Sequence, residues 1–161
     1  MRDLKRYEVG MYGGKFAPFH IGHLYCLATA AEECEQVYLL LFYTKTRQYP
    51  PFNIFERMEG VVKAANRFDN VDWSFICTDG CLKADGTEDW DAETPMVWDA
   101  CGERIDAVYS SEPSYSPYFS RAYPEAEIRL VDPDRKRFPI SGTEVRRMRR
   151  EGDPAWKAWT V

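Results

Sequence analysis

Hydrophobic runs alternate with amphipathic stretches along the whole chain. Continuous or alternating apolar runs predict five strands, at 7–14, 36–44, 71–78, 105–111 and 126–132. Helical periodicity predicts helices at 23–34 and 88–105. Capping residues predict four further helices, which begin at Asn53, Ser116, Ser141 and Asp153-Pro154. Alternating strands and helices are typical of a parallel sheet with its ligand site at the carboxyl ends of the strands. We therefore predict an α/β fold with a parallel sheet of about five strands.

The composition is that of one globular domain, taken as residues 1–161, with 45% hydrophobic residues. The net charge of −5 indicates neither a nucleic-acid coat nor a membrane surface. No apolar run could cross a membrane, and Met1 leads into charged residues rather than a signal segment. The five cysteines lack a disulfide spacing, and Cys77 and Cys81 have no second pair to complete a zinc site. We expect a cytoplasmic protein without a metal held by its side chains, and the oligomeric state, including a homo-oligomer, stays open.

Charged residues are unevenly distributed. An acidic stretch contains Asp85, Glu88, Asp89, Asp91 and Glu93. Basic residues crowd toward the C-terminus, namely Arg135, Lys136, Arg137, Arg146, Arg147, Arg149 and Arg150. Most of these charges are interpreted as solvated faces, and the basic group marks where an anionic ligand could sit.

The stretch GGKFAPFHIGHL, which begins at Gly13, contains both histidines of the chain. Gly13 and Gly14 let the backbone turn sharply after the first strand and approach a ligand closely. A helix is predicted to start near His20, where free N–H groups and a partial positive charge suit phosphates. His20 and His23 are three positions apart and share one helix face, and Lys15 adds a cation. These residues predict a phosphate-binding turn.

The stretch ISGTEVR, residues 140–146, is the second motif. Ser141 and Glu144 have the spacing of a capping box, which predicts another helix N-terminus with exposed donors. Thr143 and Arg146 lie one turn apart on that helix. Histidines on one N-terminus and an arginine on the other would clamp a triphosphate from two sides.

Together the two motifs resemble the paired signature of the HIGH-motif nucleotidyltransferases, in GKFAPFHIGH and in Ser-x-Thr-x-x-Arg. The pairing resembles that of the adenylyltransferase branch, and the RTxGVSTT-like segment typical of cytidylyltransferases does not occur. The resemblance implies a Rossmann-like nucleotidyltransferase fold. It implies catalytic roles for Lys15, His20, His23 and Arg146. It also implies an ATP site made of these four residues with Gly13, Gly14, Phe16, Ser141, Gly142 and Thr143.

Later segments are similar to archaeal nicotinamide-mononucleotide adenylyltransferases and to the adenylyltransferase domain of NadR-like proteins. PPFNIFERME resembles their NPFTAGER-type segment, with Asn53 and Ile54 departing from it, and the similarity extends from about Tyr7 to Trp159. It implies in-line attack of the 5′-phosphate of nicotinamide mononucleotide on the α-phosphate of ATP, giving NAD and pyrophosphate. That phosphate is already anionic at neutral pH, so no general base is required. Mg²⁺ is expected, held mainly by ATP oxygens and water.

A pyridinium ring favours an aromatic face near acidic groups, and EDWDAETPMVW supplies Trp90 and Trp98 for it. Related enzymes place a tryptophan at the start of this helix, which favours Trp90. The resemblance puts Arg57 on the substrate side as well. Two alternatives stay open: an adenylyltransferase for another phosphomonoester, such as phosphopantetheine or flavin mononucleotide, and a nucleotide sensor of the same fold without turnover.

Overall fold

Five parallel strands form the central sheet of the structure, a computed structural model that describes residues 4–161. The strands are β1 (Tyr7–Gly14), β2 (Cys34–Tyr43), β3 (Val71–Cys77), β4 (Ala107–Ser110) and β5 (Glu127–Leu130). They are ordered β3-β2-β1-β4-β5, and each neighbouring pair is parallel. The prediction of a five-stranded parallel α/β sheet is confirmed. The start of the chain at Met1, on which the expectation about a signal segment rests, lies outside the described residues.

Helices connect the strands and continue after the last one. They are α1 (Ile21–Glu33), α2 (Ile54–Ala65), α3 (Trp90–Ala100), α4 (Ser116–Ala122) and α5 (Gly142–Arg150). Short 3₁₀ helices cover Pro113–Tyr115 and Pro154–Trp159, so the last predicted helix forms as 3₁₀ rather than α. None of the helices within residues 4–161 is long and apolar enough to cross a membrane.

The helix boundaries follow their caps more closely than their periodicity. The predicted capping box of α2 is present, with Asn53 and Glu56 each accepting the other's backbone N–H. At α5 only half of the predicted box forms: Ser141 accepts from the backbone of Glu144, whose carboxylate pairs with Arg147 instead. Helix α3 is shorter than predicted because Asp89 caps its start and it ends before Cys101.

The core lies on both faces of the sheet. Leu39 and Leu41 of β2 point into the cluster beneath α1 and α2, whereas Leu40 points into the cluster beneath α3 and α4. All three are fully buried, because successive strand side chains alternate between faces and both faces are covered. This explains the continuous apolar run of β2 in the sequence.

The strand order reverses direction beside β1. The chain moves outward from β1 through β2 to β3 on one side and continues through β4 to β5 on the other. In open parallel sheets this reversal opens a crevice at the carboxyl ends of the two strands that flank it. The ends of β1 and β4 therefore define where a ligand site is expected.

Candidate active site

Strand β1 ends with two glycines, Gly13 and Gly14, that leave no room for a side chain. A Cβ on Gly13 would lie 2.5 Å from the Phe42 ring, and one on Gly14 would lie 3.0 Å from the Phe16 ring. Phe16 is buried and has a φ of 43°, a left-handed conformation that a bulky residue holds only when its surroundings fix it. The backbone is thus held close to the crevice at the end of β1.

His20 and His23 close the N-terminus of α1 as a reciprocal capping box. The Nδ1 atom of His20 accepts from the backbone N–H groups of Gly22 and His23, at 3.1 and 3.3 Å. The Nδ1 atom of His23 accepts from the backbone N–H of His20 at 3.1 Å. The two rings stack with centroids 3.6 Å apart. Because each Nδ1 is an acceptor, each neutral ring carries its proton on Nε2, where it can donate to a ligand.

The pKa values of both histidines favour these neutral rings. Burial and the nearby charge of Arg135 lower the pKa of His20 to about 4. Burial, the charge of His20 and that of Arg135 hold the pKa of His23 well below its usual value. At neutral pH the pair therefore offers hydrogen-bond donors rather than positive charges.

Helix α5 packs its N-terminus against the same loop. Arg146 donates from Nη1 to the carbonyl oxygen of Ala17 at 2.6 Å and from Nη2 to Thr143 Oγ1 at 3.1 Å. A Cβ on Gly142 would lie 3.3 Å from the Ala17 oxygen, so a larger residue would crowd this contact. The two motifs separated by more than a hundred residues in sequence are thus in direct contact.

Four cationic side chains surround the ring of Tyr49, which lies in the loop between β2 and α2. Lys15, Arg47, Arg57 and Arg146 place their charged groups 4.9 to 5.9 Å from its centroid. The buried Tyr49 hydroxyl has no hydrogen-bond partner among residues 4–161. This arrangement gathers positive charge beside the helix N-termini, where phosphates would be favoured. Sequence reasoning did not single out Tyr49 or Arg47, because neither belongs to a capping or glycine motif.

Arg57 is buried, with 2% of its surface exposed, and its guanidinium is engaged by the backbone. Its Nε and Nη2 donate to the Lys15 carbonyl oxygen at 3.1 and 2.8 Å, and Nη2 also donates to that of Phe42 at 3.1 Å. The structure therefore places Arg57 where it joins the ends of β1 and β2. This differs from the substrate contact that the sequence resemblance implies.

We expect Arg57→Ala to lower the free energy of unfolding by about 2–4 kcal/mol, because it removes a charged donor and leaves buried carbonyl oxygens unpaired. Lys63→Ala is the matched control on the same helix: its side chain is 58% exposed and pairs with Glu59. The control should cost less than about 1 kcal/mol. Urea unfolding measures both variants. If the Arg57→Ala protein has normal stability but binds its substrate poorly, Arg57 contacts the substrate directly, as the sequence resemblance implies.

An aromatic cleft with a cavity volume of about 100 Å³ opens at the carboxyl end of β1. Its lining combines glycine backbone, aromatic rings and acidic groups: Met11, Gly13, Gly14, Lys15, Phe42, Glu88, Trp90, Glu93, Tyr115, Tyr118, Phe119 and Tyr123. Trp90 starts α3, meets the Tyr115 and Tyr118 rings edge-on and donates from Nε1 to Glu88 at 3.3 Å. Lys15 Nζ lies 3.3 Å from the same Glu88 carboxylate.

Trp98, the second tryptophan considered for this role, does not line the cleft. It packs on Tyr123 in the core cluster beneath α3 and α4 and donates from Nε1 to the Ala122 carbonyl oxygen at 3.3 Å. Of these two tryptophans, the structure brings Trp90 to the end of β1 and leaves Trp98 in a packing position.

Glu93 also lines the cleft, although its stretch was interpreted as a solvated acidic face. It is 5% exposed, and its Oε1 has no hydrogen-bond partner among residues 4–161. Burial and the neighbouring charge of Glu88 raise the pKa of Glu93 to about 7. Its spacing of three from Trp90, which puts both side chains on one helix face, was the available sequence signal.

The fold and this crevice define a Rossmann-like α/β protein. Its first strand ends in two glycines and is followed by a histidine-capped helix. The chain belongs to the cytidylyltransferase-like family, which it matches over residues 11–148. The match includes both sequence motifs and the sheet from Met11 of β1 onward.

Individual proteins are similar to the chain at low identity. The trifunctional NAD biosynthesis/regulator protein NadR of Salmonella typhimurium is 23% identical over 159 residues, covering 86% of this chain and 36% of that protein. The chain thus spans little more than a third of this relative's length. The nicotinamide-nucleotide adenylyltransferase of Pyrobaculum neutrophilum is 25% identical over 151 residues, covering 91% of this chain and 79% of that enzyme.

A crystal structure of NadR protein in complex with NAD and AMP-PNP superposes with a TM-score of 0.67 at 18% identity. It covers 92% of this chain and 44% of that one. At this identity the likeness shows a shared fold.

Proposed function

We propose that the protein transfers AMP from ATP to nicotinamide mononucleotide, giving NAD and pyrophosphate. The observation that carries the proposal is the adjacency of two unlike sites at the end of β1. One site offers imidazole donors and cations suited to phosphates, and the other is an aromatic cleft with two carboxyl groups suited to a pyridinium ring. Lys15 contributes to both. The names of the archaeal relative and of NadR support the same reaction.

ATP would bind at the contact between the two motifs. The Nε2–H groups of His20 and His23 and the guanidinium of Arg146 would donate to its phosphates, with Lys15 close by. Their side chains are positioned by helix caps and by the contact between α5 and the β1–α1 loop. Gly13, Gly14, Phe16, Ser141, Gly142 and Thr143 would complete this site through backbone and capping groups. Such donors, fixed before the reaction begins, stabilise charge that develops on the transferring phosphate and on leaving pyrophosphate.

The acceptor would place its pyridinium ring in the aromatic cleft and its 5′-phosphate toward Lys15. Trp90 supplies an aromatic wall, and Glu88 and Glu93 supply acidic groups. The attacking phosphate is already anionic because the second pKa of a phosphate monoester is about 6. The neutral histidines therefore need not act as bases, and the protein's task is to align two anionic groups and offset their repulsion.

Mg²⁺ fits this site as a companion of ATP rather than as an ion held by side chains. Residues 4–161 contain no group of three or more His, Cys, Asp or Glu side chains arranged to hold a metal, and the groups facing the phosphates are N–H donors. The ion would be bound by phosphate oxygens and water, and it would supply charge neutralisation on the polyphosphate.

Incubation of the protein with ATP, Mg²⁺ and single phosphomonoesters tests the proposal. We expect NAD and pyrophosphate from nicotinamide mononucleotide, and no comparable product from phosphopantetheine or flavin mononucleotide. A His23→Ala protein purified in the same way controls for a contaminating enzyme. Product from another phosphomonoester alone would reassign the acceptor, and nucleotide binding without turnover would indicate a sensor.

A further inference from the structure

Glu93 lines the aromatic cleft and carries a buried carboxyl oxygen that lacks a hydrogen-bond partner among residues 4–161. Its side chain lies one helical turn after Trp90, and its Oε1 is fully enclosed without a hydrogen bond among residues 4–161. Buried polar atoms in folded proteins nearly always have a partner, and the exceptions call for an explanation. Because this oxygen belongs to a residue lining the cleft, a ligand in the cleft can supply the missing hydrogen bond.

The two common forms of pyridine mononucleotide differ in the group that such an oxygen would meet. The nicotinamide form carries a carboxamide, whose NH₂ can donate to a carboxylate. The nicotinate form carries a carboxylate, which has no donor and brings a like charge into an enclosed site. That site already contains a second carboxyl group, Glu88, which Lys15 and the Trp90 indole pair with.

We infer that Glu93 makes the cleft select the nicotinamide nucleotide over the nicotinate nucleotide, by accepting a hydrogen bond from the carboxamide and repelling the carboxylate. The inference rests on the proposed function and adds to it a specificity-determining residue. It names the hydrogen-bond partner of the Glu93 Oε1 as the carboxamide NH₂ of the ligand.

Selection should weaken at low pH, because protonated Glu93 can donate to the nicotinate carboxylate. Burial and Glu88 raise the pKa of Glu93 to about 7, so the change falls between pH 8 and 6. Cys81, Tyr118 and Tyr123 have pKa values raised by burial and keep their protons over this range. The ionisable groups facing Glu93 are Lys15, Cys81, Glu88, Asp89, Tyr118 and Tyr123.

The test compares kcat/KM for the nicotinamide and nicotinate mononucleotides at pH 8 and pH 6, with ATP and Mg²⁺. The ratio of the two removes effects of the 5′-phosphate and the histidines, which both substrates share. We expect wild type to favour the nicotinamide form at least about 100-fold at pH 8, the scale of discrimination by an unpaired buried polar group. The ratio should be several-fold smaller at pH 6.

Glu93→Gln should reduce the pH 8 ratio at least about 10-fold, because the glutamine amide can donate to the nicotinate carboxylate. Its ratio should no longer change with pH. Asp99→Asn is the matched control, since it removes one exposed acidic charge farther along α3. The control should retain the wild-type ratio at both pH values.

A wild-type ratio below about 10, or one that does not change with pH, overturns the inference while leaving the proposed function intact. A high ratio that Glu93→Gln leaves unchanged also overturns it. The wild-type pH comparison keeps the test decisive if Glu93→Gln fails to fold. Failure of wild type to make a dinucleotide from either substrate is distinct, because it removes the proposed function and this inference with it.

Discussion

His23→Ala is expected to lower kcat about 100- to 1,000-fold while changing the ATP dissociation constant only a few-fold. The reason is that His23 presents a fixed Nε2–H donor, which contributes most when charge builds on the phosphate in the transition state. Steady-state kinetics and equilibrium binding of ATP measure the two effects separately. Equal losses in kcat and in ATP affinity would contradict this role.

His23→Glu separates catalysis from helix capping. His23 Nδ1 also accepts the backbone N–H of His20, so alanine removes a cap as well as a donor. A glutamate carboxylate at this third helical position can accept the same N–H, as in an ordinary capping box, but it has no N–H to donate. We expect the glutamate variant to recover stability but not activity. Recovery of both would assign His23 a capping role alone.

Arg146→Ala is expected to lower kcat/KM for ATP about 100- to 1,000-fold, because under the proposed function Arg146 is the cation of α5 that would contact the phosphates. Its guanidinium also holds the Ala17 carbonyl oxygen and Thr143, so its loss separates the two motifs. Arg146→Lys should recover only part of the activity, since lysine lacks the planar fork needed for both contacts. Initial rates over a range of ATP concentrations provide the measurement.

Arg147→Ala is the control for the general loss of positive charge from α5. The Arg147 side chain is exposed and pairs with Glu144 and Glu151 rather than with the β1–α1 loop. Its removal should change kcat/KM for ATP less than about three-fold, as for other exposed ion pairs. Similar losses of kcat/KM in Arg146→Ala and Arg147→Ala would show that α5 acts through its overall positive charge and not through the position of the Arg146 guanidinium.

The sheet was predictable because its strands carry local signals. Both faces of β2 are buried, so its apolar run is continuous, and the alternation of strands with capped helices implies parallel pairing. The histidine-capped start of α1 was also predictable, since glycines, helix caps and histidine spacing are local features, while its role in binding phosphates stays a prediction. Helix ends were less predictable: α1 ends at Glu33 and β2 begins at Cys34, a residue that the sequence assigned to the helix.

The cleft was harder to predict from the sequence, because tertiary packing decides which polar groups are buried. Glu93 belongs to a segment rich in acidic residues, and its burial depends on parts of the chain outside that segment. Arg57 lies in a segment that resembles a family motif, yet backbone oxygens from two strands surround its guanidinium. Tyr49 meets Lys15 of the β1–α1 loop and Arg146 of α5, besides two cations nearer in sequence. These placements depend on contacts between residues far apart in sequence.

Lys15 lies between the aromatic cleft and the group of cations around Tyr49, and this position has a thermodynamic consequence under the proposed function. Its ammonium group pairs with Glu88 in the cleft and lies 5.9 Å from the Tyr49 ring in the cationic cluster. Under the proposed function, ATP phosphates would compete with Glu88 for this ammonium and leave the carboxylate free to face the pyridinium. The affinities for the two substrates are then linked, and by reciprocity each substrate changes the binding of the other by the same factor.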